Sequence, residues 1–130
     1  MRLWTRTTWM TLGAVSGFVA VAVGAFAAHG APDPQARELL KTGATYEFMH
    51  AMATFASATF MNIGGWRARF APAFFLSGTA LFSGSLYALA MGAPGWIGMV
   101  TPVGGVLFLT GWATLAWAAR TVDQEWVTDK

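Results

Sequence analysis

The clearest pattern in this sequence is four long, largely apolar runs, separated by short polar or glycine-rich segments. The first run has 19 residues and carries no charge. At about 1.5 Å of rise per residue, a helix of that length just spans a hydrocarbon core of about 30 Å. The pattern therefore predicts four membrane-spanning helices, at residues 10–28, 43–63, 72–91 and 100–119.

The second run is preceded by a polar segment that the other runs lack. Pro32 and Pro34 break the chain, and Asp33 is suited to cap a helix that starts at Pro34. The following turns place charges beside leucines, so we expect a short amphipathic helix at the membrane surface that leads directly into the second span. The next two connections are a tight basic turn at residues 64–69 and an uncharged turn at residues 92–96.

The first run also has features of a secretory signal peptide. A basic head precedes it, and Ala25, Phe26 and Ala27 resemble a cleavage site. The run is nevertheless longer than the usual signal core of about 7–15 residues. Because three further apolar runs follow, the segment also has helices to pack on, and we expect it to be retained as a span.

Small residues recur every four positions in the first and third spans. Such spacing lets helix backbones approach closely, which matters because lipid provides no hydrophobic drive for helix association. We therefore expect a close-packed four-helix bundle with these positions at helix contacts. They form two separate repeats in the first span, Gly13 with Gly17 and Ala20 with Gly24 and Ala28, and one in the third, Ala80 with Gly84 and Ala88.

Composition supports a single membrane domain over residues 1–130. Hydrophobic residues make up 55% of the chain and charged residues 11%, against about 25% charged in soluble domains. So few charges cannot cover a water-exposed surface, so lipid must cover much of it. We expect a multi-pass protein of a cell membrane, most simply a bacterial inner membrane.

Charge and cysteine content exclude several classes of protein. The net charge is +2, but the eight Lys and Arg residues are scattered singly or in pairs and form no basic stripe. Nucleic acid is therefore not an expected partner. The absence of Cys excludes disulfides, thiol catalysis, iron–sulfur clusters and Cys-ligated zinc.

The distribution of basic residues predicts the orientation. With the N-terminus inside, six basic residues lie on the inner side and only Arg37 and Lys41 on the outer side, which favours N-in, C-in topology. Tryptophans near the predicted interfaces resemble an aromatic belt. The inner residues are Arg2, Arg6, Arg67, Arg69, Arg120 and Lys130, and the belt comprises Trp4, Trp9, Trp66 and Trp96.

Polar side chains able to titrate or bind a ligand gather in the outer half of the predicted bundle. In the second span, Tyr46, His50, Thr54 and Ser57 share one helical face, which we expect to turn towards the bundle interior. Glu47 lies three residues before His50, so these two side chains are expected to pair. The candidate cluster comprises His29, Tyr46, Glu47, His50, Ser83, Ser85, Tyr87 and Thr101.

Four interpretations of this cluster are open. The side chains hydrogen-bond across helices, at about 0.6 kcal/mol each, with His29 capping the first helix and His50 donating to a carbonyl. Alternatively, they handle protons or a small ligand in an outward-facing pocket. A metal site from His29, His50 and Glu47 has suitable ligand types but no recognised spacing. A haem held by both histidines has no further supporting feature, so we expect neither metal nor cofactor.

Four blocks of sequence, in order, resemble a known family. They are Gly-Ala-Phe-Ala-Ala-His-Gly at 24–30, Thr-Gly-Ala-Thr-Tyr at 42–46 with His50-Ala51, Leu-Phe-Ser-Gly-Ser-Leu-Tyr at 81–87, and Thr-Pro-Val-Gly-Gly-Val at 101–106 with Gly111-Trp112. Together they look like the YgdD-like, or TMEM-type, small four-helix membrane proteins of unknown function. The resemblance covers residues 11–118. It implies a multi-pass membrane protein and no particular activity. Ala27 stands where the family commonly has Gly, and Glu47 where it commonly has an amide.

No catalytic motif occurs in a suitable context, so we expect a non-enzymatic protein. The leading hypothesis is an accessory subunit of a membrane complex, with the lipid bilayer and other membrane proteins, or a second copy, as partners. The alternative is a small transporter or proton-linked ligand binder that uses the outward-facing polar cluster.

Overall fold

A computed structural model describes residues 5–123 of the chain, and within that range every regular element is helical. This confirms the predicted all-α fold class. The third and fourth helices match the predicted spans to within one residue at each end. The four α-helices are α1 (Arg6–His29), α2 (Pro34–Asn62), α3 (Ala71–Ala90) and α4 (Thr101–Ala119).

Helix α1 starts four residues before the apolar run. Thr5 is its N-cap, and the Thr5 hydroxyl accepts a hydrogen bond of 3.4 Å from the Thr8 N–H. At the other end, the Gly30 N–H donates to the Phe26 carbonyl at 2.7 Å. These bonds satisfy backbone groups that the end of a helix otherwise leaves unpaired. The helix extends beyond the apolar run of residues 10–28 at both ends.

Helix α2 confirms the predicted lead-in to the second run. The Asp33 carboxylate accepts from the Ala36 N–H at 2.8 Å, and Pro34 occupies the first turn. From there one continuous helix of 29 residues runs to Asn62. Its length of about 43 Å exceeds the thickness of a hydrocarbon core, which is about 30 Å.

The two turns between apolar runs are more ordered than the sequence predicts. Each contains a short 3₁₀ helix, Trp66–Phe70 before α3 and Gly95–Met99 before α4. Gly64 precedes the first with a φ of +100°, a conformation that favours glycine. The Gly64 carbonyl accepts from the Thr121 hydroxyl at 2.9 Å, which ties the end of α4 to the α2–α3 connection.

Helices pack in the order of the chain. α1 packs on α2, α2 on α3 and α3 on α4, whereas α2 touches α4 sparsely and α1 barely reaches α3. α2 and α3 therefore form the centre of an open four-helix bundle, with α1 and α4 at its two edges.

Small residues account for the close contacts, but only some of the predicted ones do so. A Cβ at Gly13 would lie 3.4 Å from the Thr54 side chain, and Gly17 and Gly24 also face α2, as predicted. The prediction for α3 is wrong: Ala80 is exposed, and a Cβ at Gly84 would meet no described atom within 4 Å. These positions share a face of α3 that lies away from its neighbours.

The close α3–α4 contact uses other glycines. A Cβ at Gly104 would lie 2.4 Å from the Phe82 backbone nitrogen, and one at Gly78 would lie 2.6 Å from the Phe108 ring. Each glycine therefore makes room for a phenylalanine of the facing helix.

The outer surface is strongly apolar, with Phe18 76% and Leu109 70% exposed. Among residues 5–123, three segments are long and apolar enough to cross a membrane: Arg6–His29, Trp66–Ala90 and Gly95–Ala119. The more polar α2 falls outside this group, and it lies between α1 and α3. The count of four spans and the orientation stay predictions, and Arg2, Trp4 and Lys130, which entered the orientation argument, lie outside the described residues.

Candidate functional site

Glu47 is the centre of a hydrogen-bond network that joins three helices. Its side chain is 6% exposed. One carboxylate oxygen, Oε2, accepts from the Ser16 hydroxyl of α1 at 2.9 Å, and Oε1 accepts from the Tyr87 hydroxyl of α3 at 2.8 Å. Both donors are hydroxyls, so the carboxylate is held by dipoles rather than by a basic side chain.

The position of Tyr87 depends on a glycine one helical turn before Glu47 in α2. A Cβ at Gly43 would lie 2.5 Å from Cε1 of the Tyr87 ring. The ring therefore crosses α2 at Gly43 to reach the carboxylate. The Gly43 carbonyl also accepts from the Ser83 hydroxyl at 2.7 Å, so the α2–α3 contact has two side-chain hydrogen bonds near one glycine.

His50 belongs to a second, aromatic network between α2 and α4. It is 2% exposed. Its Nδ1 lies 2.7 Å from the Tyr46 carbonyl, and its Nε2 lies 3.1 Å from Nε1 of Trp112. A carbonyl only accepts and an indole N–H only donates, so Nδ1 carries the proton and Nε2 accepts. The imidazole is neutral in this arrangement, and both of its nitrogens are occupied.

Aromatic rings pack around this imidazole. Phe108 stacks on it with ring centroids 3.5 Å apart and planes within 10°, and Phe75 lies 5.6 Å away. Because α2 and α4 touch only sparsely, an open groove of about 450 Å³ runs between them, with apolar and aromatic walls that include Tyr46, Phe82 and Trp112.

The structure divides the eight predicted residues into separate groups. Glu47 joins Tyr87, with Ser83 beside them, whereas His50 and Tyr46 lie in the aromatic network. The hydroxyl groups of Ser85 and Thr101 form a hydrogen bond of 2.5 Å between α3 and α4. His29 is exposed at the end of α1 and takes part in neither network.

The predicted pairing of Glu47 with His50 is wrong. Glu47 binds side chains of α1 and α3, whereas His50 binds one of α4. The two side chains therefore point towards different neighbouring helices.

The two residues have partners at different heights along the bundle. Glu47 is residue 14 and His50 residue 17 of the 29 in α2. The partners of His50 are Trp112, residue 12 of 19 in α4, and Phe75, residue 5 of 20 in α3. Glu47, by contrast, bonds Tyr87, which is residue 17 of 20 in α3. The location of both residues in the outer half of the bundle stays a prediction.

A metal ion has no evident set of ligands in the part of the chain that the structure describes. No three His, Cys, Asp or Glu side chains converge within residues 5–123. His29 is exposed at the C-terminal end of α1, and a metal at Nε2 of His50 would have to displace the Trp112 N–H.

Comparison of the sequence with known proteins assigns this chain to a family. A family model described as a protein of unknown function, DUF423, matches residues 23–105. A UPF0382 membrane protein of Haemophilus influenzae is 43% identical over 117 residues, which cover 88% of this chain and 94% of the relative. This chain belongs to the UPF0382 (DUF423) family.

Other UPF0382 members support the same assignment. The inner membrane protein YgdD of Escherichia coli K12 is 39% identical over 124 residues, covering 92% of this chain and 94% of YgdD. A membrane protein of Schizosaccharomyces pombe is 33% identical over 118 residues, covering 84% and 98%. No solved structure matches this chain.

Membership confirms the resemblance seen in the sequence and the membrane assignment. The relatives are named as membrane proteins, and as inner membrane proteins in E. coli, so this UPF0382 protein is a multi-pass membrane protein of the same kind. The family itself has no established function.

Ser16, Trp112 and Phe108 are among the network members that were not predicted. Ser16 had a signal, because it is a polar residue in the middle of the first apolar run. Trp112 had one as well, because Trp in membrane proteins prefers the interfaces and a Trp in mid-span needs an acceptor for its N–H. Phe108 is indistinguishable in sequence from a lipid-facing residue.

Proposed function

We propose that this UPF0382 protein is a non-enzymatic accessory subunit that packs against another membrane protein. The observation that carries the proposal is an unused packing face on α3, formed by Ser77, Ala80, Gly84 and Ala88. Residues at this spacing share one side of a helix. Ser77 and Ala80 are exposed, and a Cβ at Gly84 would meet no described atom within 4 Å.

Small residues on a lipid-facing surface favour helix association, because they let a second backbone approach closely. Elsewhere in this chain small residues serve that purpose: Gly13 faces α2, and Gly104 faces α3. The α3 face has the same chemistry, and at Gly84 no atom of residues 5–123 packs against it. A helix of another protein fits it.

The interior supports the non-enzymatic part of the proposal. Both carboxylate oxygens of Glu47 and both ring nitrogens of His50 have hydrogen-bond partners within the chain. A general base or a nucleophile must have a free position within reach of its substrate. These two side chains act instead as links between helices.

The test is native purification from membranes after mild cross-linking, with the wild-type chain, Gly84→Leu and Ala14→Leu compared. Ala14 is exposed and lies on α1, so its variant controls for a bulky residue introduced elsewhere on the surface. We expect a constant partner with the wild type and Ala14→Leu, and its loss with Gly84→Leu. A chain that purifies alone, or a partner retained by Gly84→Leu, contradicts the proposal, and a homodimer contradicts its accessory-subunit part.

A second candidate function rests on Glu47. A carboxylate that is 6% exposed near the middle of α2, with hydroxyl donors only, is of the kind that relays protons in membrane transporters. This candidate predicts proton flux in proteoliposomes that Glu47→Gln removes while the helical fold survives. Flux no greater than that of protein-free liposomes eliminates it.

A further inference from the structure

Two arginines at the α2–α3 end of the bundle have their guanidinium groups fixed over tryptophan rings. The Cζ atom of Arg67 lies 4.4 Å from the ring centroid of Trp117, and Cζ of Arg69 lies 4.6 Å from that of Trp66. Cation–π contacts of this kind orient the guanidinium plane. A flexible surface side chain is thereby restricted before any ligand arrives.

Neither guanidinium has a hydrogen bond or an ion pair to another side chain or backbone group within residues 5–123. Nε of Arg67 is buried and has no acceptor in that part of the chain. Arg6, at the same end, differs because it donates to the Asn62 side chain. A guanidinium has five N–H donors, so Arg67 and Arg69 present a concentrated set of donors with no acceptor among the described residues.

The missing acceptor has definable chemistry. Several oxygens in a compact, negatively charged group match the guanidinium fork, and phosphate is such a group. Trp66 and Trp117 are 49% and 47% exposed, and half-exposed Trp at the end of a spanning helix is typical of the headgroup layer. The 3₁₀ helix that holds both arginines leads into α3, whose first turn has no side-chain cap and carries the positive end of the helix dipole.

We propose that Arg67 and Arg69, held over Trp117 and Trp66, form a binding site for the phosphate of an anionic phospholipid headgroup. This arginine–tryptophan site is independent of the packing face on α3 and of any transport through Glu47. It requires no particular orientation, because both leaflets of a membrane contain phospholipid.

The test is native mass spectrometry of the full-length protein in detergent, titrated with phosphatidylglycerol and separately with phosphatidylcholine. The wild type is expected to retain one phosphatidylglycerol per chain at concentrations where phosphatidylcholine is lost. The double variant Arg67→Gln with Arg69→Gln should bind phosphatidylglycerol about tenfold more weakly, which corresponds to the loss of charge-assisted hydrogen bonds.

Two further variants separate specific recognition from simple charge. Arg37→Gln with Lys41→Gln removes the same number of charges at the other end of the bundle and should leave phosphatidylglycerol binding unchanged. Arg67→Lys with Arg69→Lys keeps the charge but loses the planar fork, and should bind several-fold more weakly than the wild type. Circular dichroism verifies that each variant is folded.

A soluble ligand is the competing source of phosphate. Inorganic phosphate and glycerol 3-phosphate, added in excess, are expected not to displace bound phosphatidylglycerol. Displacement by either ligand overturns the lipid assignment. The site itself is disproved when the glutamine pair retains wild-type phosphatidylglycerol binding, or when the Arg37 and Lys41 pair loses as much.

Discussion

Single hydroxyl and indole groups hold the interior of this protein together, and their partners lie on other helices. The Tyr87 hydroxyl donates to Glu47 across α2 and α3. Tyr46, the other of the two tyrosines in the chain, makes no side-chain hydrogen bond through its hydroxyl to any described residue. Replacing each tyrosine by phenylalanine removes only its hydroxyl. Comparison of the two variants therefore measures the contribution of the Tyr87–Glu47 hydrogen bond.

We expect Tyr87→Phe to lower the free energy of unfolding by about 0.6 kcal/mol, the average measured for hydrogen bonds between membrane helices, and by no more than about 1.7 kcal/mol, the largest such value. Tyr46→Phe should leave it unchanged. Unfolding in mixed micelles with increasing sodium dodecyl sulfate, followed by circular dichroism, measures both. Equal losses in the two variants would show that the bond to Glu47 contributes nothing.

The indole of Trp112 predicts a coupling with His50. Trp112→Phe keeps an aromatic ring but leaves Nε2 of His50 without its donor, which should cost about 1 kcal/mol. In a His50→Leu background no acceptor remains, so the same change should cost clearly less. The coupling energy from this double-mutant cycle measures the bond, and additive effects would disprove it. Trp96→Phe, in the exposed α3–α4 connection, is the control.

Sequence alone identified the polar positions but not their partners. On the predicted inward face of α2, Thr54 and Ser57 are 0% exposed and His50 is 2% exposed, whereas Tyr46 is 39% exposed. The predicted Glu47–His50 pairing was wrong, because spacing along one helix says nothing about which neighbouring helix attracts each side chain. Ser16 lies 31 residues from Glu47 in the sequence, and Trp112 lies 62 residues from His50.

Among the helices, glycine positions decide how closely two backbones approach. Gly104 and Gly84 are both helical glycines within apolar spans, and nothing in the sequence ranks one above the other. In the structure a Cβ at Gly104 would lie 2.4 Å from the Phe82 backbone nitrogen, whereas one at Gly84 would meet no described atom within 4 Å.

Gly104→Ala should therefore separate α3 from α4 and cost about 1–3 kcal/mol, as overpacking does. Gly84→Ala should be neutral or stabilising by about 0.5–1 kcal/mol, because alanine favours a helix more than glycine does. The same detergent unfolding assay compares them. A destabilising Gly84→Ala in purified monomer would mean that this face is covered within the chain.

Helix boundaries were predicted well where a local signal marks them. Asp33 and Pro34 fix the start of α2 through capping chemistry that is readable in sequence. The assignment of small residues on α3 failed because a four-residue repeat defines a face without saying what that face contacts. Gly78, which does contact α4, lies outside the repeat.

Across the whole molecule, topology is the outstanding prediction. The chain contains no Cys, so single cysteines report their side of the membrane without a background. Gln35 lies in the first turn of α2, and Ile63 follows its last residue; both are exposed.

With the N-terminus inside, Gln35→Cys should react with a membrane-impermeant maleimide in intact cells, and Ile63→Cys only after permeabilisation. Opposite labelling would reverse the orientation while keeping the fold. Labelling of both from outside would show that α2 does not cross the membrane, which would reduce the number of spans to the three apolar segments.

The fold class follows from the composition and from the length of the apolar runs. A surface with so few charges cannot face water, so lipid must surround the helices. The open arrangement of the helices could not be predicted, since hydropathy does not indicate which helices are neighbours. It places α1 and α4 at separate edges and leaves the groove beside His50.

Packing in chain order also has a consequence for how the protein is made. Each helix finds its main partner in the helix synthesised just before it, so assembly can proceed during translation without waiting for distant segments. The exceptions include the bonds from Thr121 to Gly64, from Asp123 to Ile63 and from Trp112 to His50. Each of them requires the α4 segment or the residues after it, so none can form before that part of the chain has been synthesised.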